Sequence, residues 1–220
     1  KINAAFFDIE VDYMQSRGFS SPDSQETAYA PINAVTVYQA WCNKLITIVV
    51  MPPGVEDTPD FRKVLAEEWT NVDIQLDLNL QVAHNEKDLL TLFFAAIDDA
   101  DIISGWNSEF YDLPYFVRRI FRLFGRSGLA KLCFPGAPGP KSRMVSRFGN
   151  ETETFQLVGR THLDYLDLFK KFTFEGRTSY SLANIAAEEI DAPKLEFAGT
   201  LEELYKGSRK PSISNMTFLK

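Results

Sequence analysis

The 220-residue sequence predicts an α/β protein: a mixed β-sheet flanked by helices in three layers. Two observations lead to this prediction. Apolar and alternating segments near the start of the chain predict an antiparallel hairpin beside the first strand. Farther along, helix-like and strand-like patterns alternate. Antiparallel pairing at the front and strand–helix alternation behind it together are typical of a mixed sheet.

The first predicted strand lies within Ala4–Met14, "AAFFDIEVDYM", where four apolar residues lead directly into Asp8. A continuous apolar run of this length predicts a strand that is buried on both faces. The alternating segments Ile32–Trp41 and Leu45–Val50 predict a hairpin antiparallel to this strand. Two weaker patterns follow: a helix over Asp60–Glu68 and a short or edge strand within Asp73–Ala83.

A helix is predicted after Asn85, an N-cap residue followed by early acids and by apolar residues at helical spacing. A short buried strand then ends at Gly105. The next segment is an amphipathic helix with Pro114 in its first turn and Gly125 at its end. This alternation is typical of an α/β domain.

A second hairpin is predicted from two strand-like arms, Lys141–Arg147 and Glu153–Arg160, around a turn at Phe148–Asn150. "THLDYLDLFKKF" then predicts a short strand leading into a helix, and "SYSLANIAAEEI" a helix capped by Ser179 or Ser181. We therefore expect one domain over residues 1–205, with a protruding hairpin at about 141–160, and a divergent tail over residues 206–220.

Composition limits the classes of function. The net charge of −7 argues against a broad surface that grips phosphates, although bound cations can reverse the local sign of an acidic pocket. Cys42 and Cys133 give no disulfide framework, so a reducing compartment is expected. No apolar run is long enough to span a bilayer, so no membrane partner is expected.

Asp8 and Glu10 are the first candidate site residues. Side chains alternate along a strand, so the two carboxylates lie on the same face, roughly 6 to 7 Å apart along the chain. Two carboxylates on a buried strand need a positive partner, and a divalent cation with oxygen ligands is the simplest one. Taken alone, Asp-x-Glu is more often a strand end at which both acids reach water.

A second candidate region is "SGWNSEFYDLPYFVRR", in which a strand ends, a turn holds Asn107, and Asp112 begins a helix. An acid there is ordinarily a cap or a first-turn residue. Trp106, Phe110 and Tyr111 crowd the turn with aromatic rings, on which single-stranded bases stack. If the turn meets the first strand, Asp112 supplies a third oxygen donor.

"FFDIEV", followed about a hundred residues later by "GWNSEFYDLPYF", resembles the first two exonuclease motifs of family B DNA polymerases. The sequence is most similar to the polymerases of T-even-type bacteriophages, in which counterparts of "LDYLDLFKKF" and "SYSLANIA" follow in the same order. The resemblance runs from about Ile2 to Leu204. It implies a ribonuclease H-like fold and a proofreading 3′–5′ exonuclease that acts on DNA.

The resemblance also implies two divalent metal ions, Mg²⁺ or Mn²⁺, roughly 3.5 to 4 Å apart, which activate a water and stabilise the leaving 3′ oxygen. Asp8, Glu10 and Asp112 match the catalytic metal ligands, and Glu10 is in addition oriented toward the attacking water.

DNA-binding roles follow from the same resemblance. Asn107 is expected to contact the substrate backbone, and Tyr111 or Phe110 to pack against terminal bases. The arms around Gly149 and Asn150 match the family's β-hairpin, which helps to part primer from template. Without the family, a plain surface hairpin would be the preferred interpretation.

Four further titratable residues receive structural interpretations. Asp164 and Asp167 are interpreted as helix caps or surface acids, with Asp164 the one that points inward. His84 and His162 lack a Cys/His cluster, so surface or core roles are expected.

The family's third motif, Tyr-x-x-x-Asp, has no counterpart in "KGSRKPSISNMTFLK", which contains no acid. One hypothesis is truncation. Another is a frameshift, because the last base of the Met216 codon with the first two of Thr217 reads GAC, an Asp codon. Without this ligand we expect little or no nuclease activity from the chain alone.

The palm, fingers and thumb of a polymerase are absent from the sequence, so we expect them on a partner subunit or on the larger protein from which this domain derives. The other expected partners of the chain are a single-stranded 3′ end of DNA or a primer–template and, through the polymerase partner, a sliding clamp. The expected location is the cytoplasm of an infected bacterial host. The alternative function is a catalytically incomplete DNA-binding or assembly module of a split polymerase. A free-standing exonuclease is a third reading, against which the hairpin and the motif order argue.

Overall fold

The computed structural model describes residues 1–13, 17–52, 54–60, 62–63, 76–147 and 149–192. The strands in these ranges are β1 Ala4–Val11, β2 Ile32–Gln39, β3 Lys44–Val50, β4 Asp77–Ala83, β5 Ile102–Gly105, β6 Lys141–Arg147, β7 Asn150–Gln156 and β8 Thr161–Asp164. The helices are α1 Glu86–Ile97, α2 Asp112–Leu129, α3 Tyr165–Phe172 and α4 Leu182–Ile190, with a 3-10 turn at Ala130–Leu132.

Six strands form a mixed sheet in the order β4-β3-β2-β1-β5-β8. β2 pairs antiparallel with both β1 and β3, which confirms the predicted front hairpin. β5 and β8 are parallel to β1, and β4 is parallel to β3 at the sheet edge, as predicted for that segment. β1, β5 and β8 therefore have their carboxyl ends at the same side of the sheet, and the candidate residues lie at or near these strand ends.

Helices cover both faces of the sheet, which confirms the predicted three layers. Phe7 of β1 contacts Phe93 of α1 and Phe116 of α2, with ring centroids 6.2 and 5.8 Å away. Phe93 and Phe116 stack at 4.3 Å, so the two helices share one aromatic core. Phe6, on the opposite face, contacts Tyr165 of α3 at 6.1 Å.

The prediction that β1 is buried on both faces is wrong. Ala5, Phe7 and Ile9 are buried, whereas Phe6, Asp8 and Glu10 are exposed, so burial alternates residue by residue. The reason is that α1 and α2 pack against one face, while α3 packs beside β5 and β8 on the other. An apolar run cannot by itself distinguish one-sided from two-sided burial.

Two predicted helix caps are confirmed. The Asn85 side chain accepts a hydrogen bond from the Asp88 N–H, and Ser181 accepts one from the Asn184 N–H. The predicted end of α2 at Gly125 is partly wrong: Gly125 has φ +66°, which interrupts the helix, but the helical turn resumes and continues to Leu129.

A buried ion pair joins the two core helices. Arg119 of α2 binds both carboxylate oxygens of Glu86 in α1, and each side chain is less than a tenth exposed. Glu86 also accepts from the Ile32 N–H at 2.9 Å, and Arg119 donates to the carbonyls of Ala28 and Tyr29. The pair thus fixes the entry into β2 against both helices.

The second hairpin is confirmed as β6 and β7, which form a separate two-stranded sheet. β7 begins at Asn150, three residues before the predicted arm, and pairs this residue with Arg147. Most of the predicted Asp60–Glu68 helix and the tail at 206–220 lie outside the described residues. Among the described helices, none has the length and apolar character needed to cross a membrane.

Candidate active site

Asp8 and Glu10 lie on the exposed face of β1, two residues apart, as the strand period predicts. Asp8 is opposite Thr36 and Glu10 opposite Ala34 in the antiparallel neighbour β2. Both acids are solvent-exposed, so neither carries the cost of burial that the sequence prediction assumed.

Asp112 is the first residue of α2, and only 4% of it is exposed. The charge of Asp8 and the backbone of Ile9, both on β1, act on its carboxyl group. Ile9 lies between Asp8 and Glu10 on β1. The structure therefore brings Asp112 to the strand that carries the other two acids.

The charges of these acids interact. Burial, followed by the negative charge of Asp8, raises the pKa of Asp112 to about 8. Burial also raises the pKa of Tyr111 to about 12, with smaller contributions from Asp112 and Glu10. The three acids thus lie close enough to this turn to interact electrostatically with Asp112 or Tyr111. Over the described ranges, however, no three or more His, Cys, Asp or Glu side chains are already arranged to hold a metal ion.

The turn between β5 and α2 depends on Gly105. A Cβ atom there would lie 2.7 Å from the Phe7 carbonyl oxygen and 2.9 Å from the Ser108 Cβ. Only glycine lets the end of β5 approach β1 this closely, and this approach carries the turn toward the acids. Asn107 adopts a left-handed conformation, with φ +57°, at the tightest part of the turn.

The carboxylate of Asp164, the last residue of β8, binds backbone N–H groups of the turn. Its Oδ1 accepts from the Asn107 N–H at 3.1 Å, and its Oδ2 from the Glu109 N–H at 2.9 Å. The same Oδ1 caps α3 through the Leu166 N–H. The interpretation of Asp164 as an inward-pointing cap is therefore confirmed, whereas Asp167 is exposed.

His162 of β8 contacts the same turn through Ser108. Its Nε2 is 2.9 Å from the Ser108 Oγ, and its ring contacts Phe7 at a centroid distance of 6.4 Å. Burial lowers the pKa of His162 to about 4, so the ring is neutral at physiological pH. The expected core role is confirmed for His162, and His84 is exposed.

The aromatic residues of the turn have different surroundings. Trp106 donates its indole N–H to the Tyr180 carbonyl at 3.1 Å and packs near Phe169, so it anchors the chain. Tyr111 stacks on Tyr115 with centroids 5.7 Å apart. Phe110 is half-buried and lines a cavity of about 210 Å³ between α2 and the hairpin.

Gly149 and Asn150 lie at the far end of the hairpin. Gly149 is exposed, with φ +82° at the turn. Asn150 is four residue pairs from Thr154, the hairpin residue that contacts the turn, which is about 14 Å along the strand. The structure therefore groups Asp8, Glu10, Asp112, Asn107 and Tyr111 at one edge of the sheet, but not these two residues.

Sequence reasoning missed Ser108, Glu109 and Thr154 as parts of this arrangement. The sequence did contain a pattern that indicates two residues in contact with this turn, His162 and Asp164. His162 and Asp164 alternate on β8, and Gly105 pairs with Asp164 in the parallel register. Two polar residues at alternate positions of a strand beside β5 indicate contacts to the turn that follows it.

Comparison with known proteins gives a family match over most of the chain. Residues 1–185 match the family described as DNA polymerase family B, exonuclease domain. The DNA-directed DNA polymerase of Escherichia phage RB69 is 30% identical over 225 residues, which cover 97% of this chain and 24% of that protein. That of Enterobacteria phage T4 is 30% identical over 132 residues, 59% of this chain and 14% of the relative.

A more distant relative is the DNA polymerase of Bombyx mori nuclear polyhedrosis virus, 23% identical over 142 residues, which cover 63% of this chain and 14% of that protein. The chain thus spans less than a quarter of the length of each of these curated relatives.

Proposed function

The chain belongs to the exonuclease domain family of family B DNA polymerases, and from this membership we propose that it acts as a 3′–5′ exonuclease domain on DNA 3′ ends. The observation that carries the proposal is the close approach of Gly105, at the end of β5, to Phe7 of β1, which brings buried Asp112 within electrostatic reach of Asp8. It joins two motifs that are about a hundred residues apart at one edge of the sheet.

We propose that Asp8, Glu10 and Asp112 hold two divalent cations, Mg²⁺ or Mn²⁺. The donor chemistry fits, because hard cations take carboxylate oxygens and a neighbouring cation would relieve the cost of ionising buried Asp112. The bound ions would activate water and stabilise the leaving oxygen. Glu10, exposed beside them, would orient the attacking water by accepting its hydrogen bond.

The proposed DNA contacts involve the turn and the hairpin. Asn107, whose backbone Asp164 holds, would contact the backbone of the substrate, and Phe110 or Tyr111 would pack against terminal bases. Gly149 and Asn150, at the protruding end of β6 and β7, would meet the junction at which primer leaves template.

A second candidate function is a DNA-binding or assembly module without catalysis. Two observations favour it: residues 206–220 contain no acid to supply the third motif, and the described residues show no closed three-ligand set. Whether a frameshift explains these residues is a prediction that the coding DNA would test. In both functions the chain would associate with the polymerase portion and, through that portion, with a sliding clamp. The proposed location is the cytoplasm of an infected bacterial host.

Digestion of a 3′-labelled single strand with Mg²⁺ or Mn²⁺ distinguishes the two functions. An active domain releases label only with metal, and Asp8→Ala lowers the rate at least about a hundredfold, because loss of even a supporting group around a metal costs ten- to a hundredfold. Asp99→Ala, at an exposed acid after α1, is the matched control and should leave the rate unchanged.

DNA binding without metal-dependent release would support the module instead. Release that persists in Asp8→Ala would contradict the assignment of the acid pair.

A further inference from the structure

Glu109, in the middle of the turn between Asn107 and Asp112, is bound by three different strands. Its N–H donates to Asp164 of β8 at 2.9 Å. Its carbonyl accepts from the hydroxyl of Thr154 in β7 at 2.8 Å, and its carboxylate pairs with Arg143 of β6. Two of these three partners belong to the hairpin.

The hairpin is firmly attached at this end. Thr154 is fully buried, and Phe155 is 7% exposed within the hydrophobic core. Arg118 of α2 pairs with Glu153 and lies 5.3 Å above the Phe155 ring. The base of the hairpin is therefore part of the packed body of the domain.

The outer part of the hairpin is open to solvent. Ser146 and Glu151, which pair with each other near the tip, are both exposed. The hydrogen bonds to Glu109 connect β6 and β7 directly to the turn.

We infer that Glu109 is a positioning residue that couples the hairpin to the turn carrying Asn107 and Asp112. The hairpin then has a second role besides parting strands, since its base holds the geometry of the candidate active site. This inference rests on the proposed function, because its effect on catalysis is measured as the cleavage of DNA.

The two roles of the hairpin make different demands on substrate. A hairpin that only parts strands matters for a base-paired 3′ end and not for a single strand. A hairpin that positions the turn matters for both, because misplacing a catalytic group slows cleavage of any substrate.

The test uses Thr154→Val, which removes the hydroxyl donor at nearly constant shape, and Arg143→Gln, which removes the cation at a half-exposed site. Arg143→Lys restores a cation and should rescue the second variant. Met144→Ala, the neighbouring exposed residue of the same strand, is the matched control. Urea unfolding verifies that every variant is folded.

The first measurement is hydrogen–deuterium exchange of the peptide that covers residues 105–112, which does not require activity. We expect exchange about tenfold faster in Thr154→Val and Arg143→Gln and unchanged in Met144→Ala, since lost hydrogen bonds make local opening easier. Unchanged exchange in both test variants overturns the inference.

The second measurement is cleavage with Mn²⁺ of a single strand and of a matched primer–template. For both substrates we expect kcat to fall roughly tenfold and KM to stay within twofold, because the turn is misplaced while the binding surface remains. A loss confined to the primer–template overturns the inference. If the unmodified chain cleaves neither substrate, the proposed function fails, and the exchange experiment still decides the coupling.

Discussion

Asp112 has a carboxyl group whose ionised form is costly in the folded protein, because it is buried and faces the charge of Asp8. Its pKa is about 8 when folded and near 3.8 when unfolded. The unfolded state therefore binds fewer protons between these values, and stability falls as the pH rises through that range.

His162 acts in the opposite direction. Its folded pKa of about 4 lies below its ordinary value of 6.5, so stability is lost as the pH falls from 6.5 toward 4. The two effects oppose each other below pH 6.5. Between pH 6.5 and 8 the effect of Asp112 acts without that of His162, which defines the window for measuring it.

Without divalent ions, we predict that the free energy of unfolding falls by about 2 kcal/mol between pH 6.5 and 8, and that Asp112→Asn removes this dependence, because its amide does not titrate. Urea unfolding at the two pH values measures it. Added Mn²⁺ should stabilise the unmodified protein more than the variant. An equal pH dependence in both proteins would contradict the assigned pKa.

At the scale of the elements, the positions of β1, β5 and β8 decide the site. β5 lies between the other two, so its end delivers the turn to β1 on one side and receives Asp164 from β8 on the other. The close approach at Gly105 is therefore a property of three strands together. A single added carbon atom tests it.

Gly105→Ala is predicted to lower the free energy of unfolding by about 1–3 kcal/mol, because the new Cβ would overlap the Phe7 carbonyl oxygen, which belongs to the sheet backbone and cannot easily move. Gly176→Ala is the control: no atom lies within 4 Å of its added Cβ, and the residue is exposed. Urea midpoints compare the two. Equal stability of the two variants would show that the strands separate freely at this point.

At the scale of the whole molecule, the two ends of the parallel strands differ: the candidate site lies at the carboxyl ends, and contacts that stabilise the fold lie at the amino ends. The acids and the turn lie where β1, β5 and β8 end. Arg160 lies where β8 begins, and only 2% of it is exposed. Its guanidinium donates to three backbone carbonyls, those of Asp98, Ala100 and Leu132, and so joins the segments after α1 and α2 to β8.

Arg160→Met is predicted to cost roughly 3 kcal/mol or more of folding free energy, because three carbonyls, two of them buried, lose their donor. The folded variant should bind Mn²⁺ within about twofold of the unmodified protein, since the change is remote from the acids. Arg126→Met, at an exposed arginine of α2, is the control for charge. Urea unfolding and Mn²⁺ titration measure the two effects, and a large loss of affinity would contradict this division of tasks.

Local patterns were sufficient where the determining forces are local. Asp8 and Glu10 share a face because side chains alternate along any strand. Asn85 and Ser181 cap their helices because a polar side chain at that position satisfies a backbone N–H that the helix leaves open. The mixed sheet and the second hairpin followed from the same kind of periodicity.

Contacts between distant segments were not determined in this way. Three sets of contacts join residues on different elements: the approach of Asp112 to Asp8, the pair of Glu86 with Arg119, and the three contacts of Glu109. Each depends on which strands become neighbours and how closely they approach, and one-sided burial of β1 depends on where the helices pack. The sequence by itself determined the elements and the face on which the acid pair lies, whereas only the tertiary structure decided which distant groups meet that pair and what holds them there.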